Sequence, residues 1–356
     1  MNYTVPRLPQ TVNRIGKGPM NATRLGLSAS QLGFFHREGY LIVEDVLDPA
    51  RDFKLLVEEH GNILNRLAAR HGEAGDIDNY DPGASFEQRV LHFTRSIGDF
   101  PIQEFDICLP QKAINSDTGI YLGDGAFSIL THPLLLDLVE SLIGAEITVS
   151  PIQHIRIKTP LALADRGEGK IVVHKPYDGS VPLASQTTVP HQDIGVQTPD
   201  ADASEVITVW IPLTDATAEM GCLGIWPRRH PGGVLDHCPN PGGLEIVPQL
   251  LDDNDFLPLP MRAGSVLLMT RFTPHKALPN LSDKVRWSMD LRYQPTGQIS
   301  GRASFPEFIA RTASGPSSSL IDHNAWRELW LDARAHLAGQ PALIYNRWSS
   351  DAPWCA

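Results

Sequence analysis

The sequence has 356 residues, of which 42% are hydrophobic and 20% charged, so the chain can bury a large core and does not resemble a disordered protein. A formal net charge of −11 leaves no basic stripe for nucleic acid and disfavours an anionic membrane surface. We therefore expect a small-molecule partner, while the oligomeric state stays unknown. Residues 1–356 are predicted to form one domain, because β-barrels with insertions often reach this length.

The sequence also predicts a cellular location. The N-terminal segment lacks the apolar core of a signal peptide, and no later apolar run is expected to span a membrane. The four cysteines lack zinc-type spacing and fit reduced thiols in a cytosol: Cys108, Cys222, Cys238 and Cys355. These features predict a cytoplasmic protein.

The N-terminal third predicts helices around one short strand. Residues 1–26 carry Pro, Gly, Asn and Thr without periodicity, which predicts an extended arm. Ser28 precedes a short apolar run and predicts a capped helix, and the apolar stretch from Tyr40 predicts a strand. Residues 50–70 have the spacing of an amphipathic helix, although Gly61 weakens its middle.

The next stretch, residues 72–122, has no clean period. Such stretches most often connect elements at the surface, although some cover an active site. Residues 132–143 are clearer, because Pro133 suits a first turn and Gly144 suits a terminator. They predict a scaffold helix packed on the core.

A strand with one apolar and one basic face is predicted next. Ile155 and Ile157 alternate with His154, Arg156 and Lys158. The basic face would either line a barrel cavity or face solvent at an edge, and periodicity alone slightly favours solvent. In a cavity, Arg156 and Lys158 could meet an anionic substrate or cosubstrate.

A segment rich in Gly, Pro, Asp and Ser, residues 160–188, follows this strand. It is too long for a tight hairpin, so we interpret it as an insertion that forms either a substrate lid or an ordinary surface hairpin. His174 and Tyr177 are its only plausible chemical contacts.

The strongest chemical signal is a His and an Asp two residues apart. On a strand, His191 and Asp193 would point to one face and Gln192 away from it. Two His and one carboxylate form the facial ligand set of non-haem Fe(II) oxygenases, whose open positions hold a cosubstrate and O₂. A His-x-Asp pair alone is weak evidence in a chain with 13 His, so the prediction depends on a second segment that supplies His275.

That second segment, residues 263–295, predicts an apolar strand over 265–269, then His275, then a strand that carries Arg286 and Ser288. Arginine suits a two-pronged hold on a carboxylate, and Arg-x-Ser puts both donors on one strand face. This arrangement fits the distal carboxylate of 2-oxoglutarate. His230 is an alternative third ligand, but it lacks an arginine partner at a comparable distance downstream.

The C-terminal flank, residues 301–356, predicts two helical pieces, at 305–313 and 324–339, joined by the flexible link 314–319. Short strands with turns, helices at both ends and metal ligands on separate strands fit a mainly β fold. We therefore predict a double-stranded β-helix, the jelly-roll barrel of cupin-like proteins, with flanking N- and C-terminal helices.

The chain resembles the phytanoyl-CoA dioxygenase family of Fe(II)/2-oxoglutarate oxygenases over most of its length. The resemblance rests on a series of motifs in chain order: Lys158-Thr159-Pro160, His191-Gln192-Asp193, Trp210, Gly221-Cys222-Leu223, Pro227-Arg228-Arg229-His230, His275 and Arg286. It implies cosubstrate contacts at His154 and at Trp210, although Trp210 equally fits a core aromatic. Two positions depart from the family pattern, since Met220 replaces an Asn and Ala277 replaces a small polar residue.

The resemblance also implies a reaction. Fe(II), 2-oxoglutarate and O₂ would oxidise a substrate with release of succinate and CO₂. Related halogenases replace the carboxylate ligand with Gly or Ala, whereas Asp193 is present here, so hydroxylation is favoured. Desaturation, epimerisation, rearrangement and a non-catalytic metal-binding barrel remain alternatives. The acidic charge disfavours a CoA ester, so we expect a small or medium-sized metabolite.

Overall fold

The computed structural model describes residues 25–164, 188–240, 243–315, 319–342 and 347–355. Its helices are α1 Ala29–Glu38, α2 Pro49–Asp52, α3 Lys54–Glu73, α4 Phe86–Ile97, α5 Asp124–Leu130, α6 Pro133–Ile143 and α7 His323–Leu337. Its strands are β1 Tyr40–Val43, β2 Ile147–Val149, β3 His154–Lys158, β4 Ile207–Pro212, β5 Leu223–Ile225, β6 His237–Asn240, β7 Gly243–Ile246, β8 Leu257–Pro258, β9 Val266–Thr270, β10 His275–Ala277, β11 Arg286–Pro295 and β12 Phe308–Arg311.

The helix that opens the described chain begins and ends as its sequence predicts. Ser28 and Gln31 form a reciprocal capping box at the start of α1. Gly39 ends the helix with a φ of 84° and donates its N–H to the Phe35 carbonyl, which turns the chain into β1. The predicted helix at residues 132–143 is likewise confirmed as α6, with Pro133 in the first turn.

The main sheet has seven strands, in the order β1-β9-β4-β11-β2-β12, and β3 pairs with the other end of β11. All of its pairs are antiparallel. Side chains alternate between its two faces, as strand geometry requires. One face packs against the helices, through residues such as Leu41, Val209 and Leu268.

The opposite face of the main sheet lines the barrel interior. Tyr40, Trp210 and Leu267 on this face form a second apolar cluster with Leu223 and Ile225 of the smaller sheet, which has the order β10-β5-β8. Strands β6 and β7 form a separate antiparallel pair. The predicted fold is confirmed: a jelly-roll core of antiparallel strands with helices outside it.

Several local predictions were incomplete or wrong. The helix predicted at 50–70 is two helices, α2 and α3, with Phe53 between them. The helix α4 was missed, and the 305–313 stretch predicted as helical contains strand β12. Pairing with β2 explains the error, because a tertiary partner overrides an ambiguous apolar spacing.

Two predictions from composition also need correction. Cys238 and Cys355 form a disulfide, so the prediction of four reduced thiols is wrong for this pair, whereas Cys108 and Cys222 are free and buried. Residues Asp124–Ile143 have the length and apolar character of a membrane span, contrary to the prediction that no run approaches one. Half of this stretch is buried within the protein, a pattern that core helices share.

Some predicted segments lie outside the described residues. They include most of the arm at 1–26, most of the proposed lid at 160–188 with His174 and Tyr177, and part of the link at 314–319.

Candidate metal and cosubstrate site

Two side chains that are close in sequence, His191 and Asp193, meet the distant His275. The backbones of His191 and His275 form an antiparallel bridge, with N···O distances of 3.0 and 2.9 Å. Asp193 starts a 3₁₀ turn, Asp193–Val196, so the predicted strand stops at His191. The predicted orientations still hold, because Gln192 is buried on the other side, where its amide donates to the carbonyls of Gly233 and Phe272.

The geometry of this group suits a divalent metal. One ligand atom from each of His191, Asp193 and His275 lies within 4.8 Å of the others. The Nδ1 atoms of the two imidazoles donate to backbone carbonyls, at 2.8 Å to Val189 and at 3.0 Å to Thr273. A carbonyl only accepts hydrogen bonds, so each Nδ1 carries the proton and each Nε2 keeps a lone pair for a metal.

The carboxylate of this triad stays ionised although it is buried. Burial alone raises the pKa of Asp193, but the charge of Arg292 and the hydrogen bond that it donates outweigh burial and hold that pKa well below its usual range. Arg292 Nη2 donates to Asp193 Oδ1 at 2.5 Å, and the Thr208 hydroxyl donates to Oδ2. Burial and the neighbouring His275 lower the pKa of His191 to about 3, so its imidazole is neutral, as a metal ligand must be.

The predicted anchor for a carboxylate lies on the same interior face. Arg286 is buried, and its Nη1 lies 2.5 Å from Ser288 Oγ. Within the described residues it has no ion-pair partner, and its Nε has no hydrogen-bond partner. Burial lowers the pKa of Arg286 to about 10, which still leaves it charged. An unpaired buried cation of this kind suits an anionic ligand.

A second buried basic side chain, Lys158, lies beside this anchor. Lys158 on β3 pairs directly with Arg286 on β11, so both side chains lie on the interior face. Burial, and then the charge of Arg286, lower the pKa of Lys158 well below its usual value, and its Nζ donates to the Leu278 carbonyl at 2.7 Å. The basic face of β3 therefore lines the barrel interior, whereas its periodicity alone slightly favoured solvent.

The other predicted residues occupy different positions around this site. Trp210 is fully buried in the interior cluster, with the Arg286 guanidinium 5.8 Å from its ring centroid, so it packs in the core and against the anchor. His154 lies on the interior face, with Nδ1 2.8 Å from Asp106 Oδ2. His230 contacts the His36 carbonyl instead and does not join the triad.

The structure shows what surrounds Met220 and Ala277, the two positions predicted to depart from the family pattern. Met220 is buried and precedes Gly221, whose φ of 80° and close approach to the Leu278 carbonyl exclude a larger residue. The backbone N–H of Ala277 donates to the Thr188 hydroxyl at 2.7 Å. The segment before His191 therefore supplies a hydroxyl beside the backbone of Ala277.

Sequence reasoning missed two residues of the site, Arg292 and Thr208. Both were detectable from spacing. Arg292 lies six residues after Arg286 on β11, and Thr208 lies two residues before Trp210 on β4, so each shares the interior face with a predicted residue.

Comparison with known proteins decides the family. The phytanoyl-CoA dioxygenase (PhyH) family matches residues 35–288. The chain belongs to the phytanoyl-CoA dioxygenase family. This PhyH protein is thus a non-haem iron, 2-oxoglutarate-dependent dioxygenase, and its two-His, one-carboxylate donor set fits the iron.

Individual relatives extend the comparison. "Phytanoyl-CoA dioxygenase domain-containing protein 1" of Bos taurus is 24% identical over 305 residues, which cover 77% of this chain and 97% of that protein. "Methylphosphonate hydroxylase" of Gimesia maris is 29% identical over 147 residues, which cover 40% of this chain and 54% of that protein. The apo structure of the non-heme monooxygenase ThoJ has a TM-score of 0.53 at 18% identity and covers 85% of this chain and 95% of its own, which supports the fold.

Proposed function

We propose that this PhyH enzyme hydroxylates a small or medium-sized organic metabolite. The observation that carries the proposal is the triad His191, Asp193 and His275 in the same barrel interior as Arg286, a buried cation that forms no ion pair with any acidic residue the structure describes. When bound there, iron would couple the oxidative decarboxylation of 2-oxoglutarate to the activation of O₂.

The protein's own side chains then bind, orient and exclude water. Arg286 would hold the distal carboxylate of 2-oxoglutarate, with Ser288 fixing the guanidinium and Lys158 supplying a second hydrogen-bond donor. Trp210 packs against this anchor, and the apolar interior cluster keeps water away from it. In such surroundings a carboxylate–guanidinium pair is stronger than in water.

Two features of the chain and one relative support the hydroxylation of a small or medium-sized metabolite. Asp193 provides the carboxylate that would leave no vacant ligand position for a halide. The acidic surface, with a net charge of −11, disfavours the phosphates of a CoA ester. The relative named methylphosphonate hydroxylase is a hydroxylase of a small molecule, which supports the same class of reaction.

The experiment is a screen of metabolites with Fe(II), 2-oxoglutarate and ¹⁸O₂, in which succinate release and substrate mass are followed together. Hydroxylation predicts a product heavier than its substrate by one ¹⁸O atom. A product that has lost two hydrogens would indicate desaturation, and a product of unchanged mass would indicate epimerisation. The variant Asp193→Ala should form no hydroxylated product with any substrate, and a variant with full activity would contradict the metal assignment.

A further inference from the structure

Both oxygens of the triad carboxylate are already held by the protein. Arg292 Nη2 donates to Asp193 Oδ1 at 2.5 Å, and the Thr208 hydroxyl donates to Oδ2. All three side chains are buried, with exposed fractions of 6% for Arg292, 3% for Asp193 and 1% for Thr208. Charge-assisted hydrogen bonds in such surroundings fix a side chain strongly.

The two donors are set side by side by the sheet. Arg292 on β11 is the direct antiparallel partner of Thr208 on β4, so their side chains lie on the same interior face. The guanidinium is fixed further because its Nη1 donates to the Ile152 carbonyl at 3.3 Å. The two side chains that hold Asp193 therefore lie on two central strands, β11 and β4, and their position does not depend on a loop.

From this geometry we infer that Arg292 is a positioning residue, which together with Thr208 presents Asp193 to the metal through a single oxygen. The inference rests on the proposed function, since it concerns the same metal site. Each carboxylate oxygen has two lone pairs, and at both oxygens of Asp193 one is occupied by a protein donor. Any rotation of the carboxylate away from this orientation would break at least one of these hydrogen bonds.

One-oxygen coordination matters because positions at the metal are limited. Three protein ligands on one face of an octahedral ion leave three positions, and two of them are needed for a chelating 2-oxo acid and one for O₂. A second oxygen from Asp193 would occupy one of these positions. The same strand β11 carries Arg286, so a single element positions both the metal ligand and the predicted cosubstrate anchor.

The test uses Co(II), whose visible absorption reports its coordination number. The metal-free full-length protein is titrated with Co(II) for the wild type and for Arg292→Met, Arg292→Lys and Thr208→Val. Loss of an outer hydrogen-bond partner typically weakens metal binding by about 10- to 100-fold, which is the loss expected for Arg292→Met. The spectrum should also shift towards a higher coordination number, and Arg292→Lys should restore part of both properties.

A matched control separates this role from a purely structural one. Arg311 is also held by acidic groups, with Nη1 2.7 Å from Asp137 and 2.9 Å from Glu140, but it lies on β12 away from the triad. Arg311→Met should leave the Co(II) affinity and spectrum unchanged. If Arg292→Met does not fold, Thr208→Val decides alone, because it keeps the arginine and frees only Oδ2.

The outcomes are distinguishable. A wild-type affinity and spectrum in Arg292→Met, or in Thr208→Val where that variant decides, would overturn the inference. Failure of the wild-type protein itself to bind Co(II) would instead contradict the proposed metal site. A loss in Arg311→Met equal to that in Arg292→Met would also overturn the inference, because the effect would then reflect general destabilisation.

Discussion

Replacement of Arg286 by methionine removes the predicted cosubstrate anchor while keeping a long apolar side chain in the barrel. In the wild type this guanidinium is 3% exposed and has no ion-pair partner among the described residues. The distal carboxylate of 2-oxoglutarate would be its first acidic partner. We therefore expect Arg286→Met to weaken 2-oxoglutarate binding more than metal binding.

The magnitude follows from the surroundings of Arg286. Loss of one partner from a buried, hydrogen-bonded charge pair costs about 2–5 kcal/mol. Lys158 pairs with Arg286 across the strands and remains as a nearby hydrogen-bond donor, which places the expected loss at the lower end, about 2–3 kcal/mol. This corresponds to a rise in Kd of about 30- to 150-fold. Ser288→Ala removes one hydroxyl contact and should cost only about 1 kcal/mol, or about 5-fold.

Calorimetric titration of Mn(II)-loaded protein with 2-oxoglutarate, without Fe(II) turnover, measures these constants directly. Arg229→Met is a suitable control, because Arg229 is exposed and pairs with Asp255 on the surface. Its Kd should equal that of the wild type. A Kd for Arg286→Met within about threefold of wild type would refute the reasoning, since a free energy change that small is below any buried charge pair.

Three further predictions concern catalysis and stability. His191→Ala should abolish substrate-dependent succinate formation, measured by mass spectrometry, because it removes one of the three metal ligands. Reduction of the Cys238–Cys355 disulfide should lower the free energy of unfolding by about 4–5 kcal/mol, because the bond spans 117 residues. As a control, Cys238→Ser should have the same melting temperature with and without a dithiol. A wild-type melting temperature that a dithiol leaves unchanged would exclude the bond. Burial lowers the pKa of His60 from 6.5 to about 3, so below pH 6.5 the unfolded chain binds a proton that the folded state does not. The folded state should therefore lose about 2 kcal/mol of stability by pH 5. Urea unfolding at pH 7 and 5 should show that loss in the wild type, and an equal loss in His60→Phe would contradict it.

The sequence was most informative where a short motif carries its chemistry locally. His191 and Asp193 are two residues apart, and the spacing between His275 and Arg286 links a third ligand to a cation, so the three candidate ligands and the candidate anchor could be proposed from the sequence. The alternation in β3 revealed its basic face but not which side of the sheet it faced. The main-sheet pairing of Lys158 with Arg286 settled that question, and pairing between distant strands is not a local property.

The missed features depend on contacts between distant parts of the chain. Arg292 acts on Asp193 from 99 residues away, and Cys238 meets Cys355 across 117 residues. The strand β12 forms because it pairs with β2, and the apolar spacing of residues 305–313 does not reveal that pairing. By contrast, α4 had a visible signal, the capping box of Ser85 and Gln88, which the irregular stretch around it obscured.

The most direct test of the central assignment is anaerobic titration of Fe(II)-loaded protein with 2-oxoglutarate, followed by visible absorption. Chelation of iron by the 2-oxo acid gives a weak charge-transfer band, which His191, Asp193 and His275 would permit by leaving the opposite metal positions open. The account predicts that the band appears in the wild type and is lost at the same 2-oxoglutarate concentration in Arg286→Met. Iron binding without any band would contradict the oxygenase assignment and favour a barrel that only binds metal.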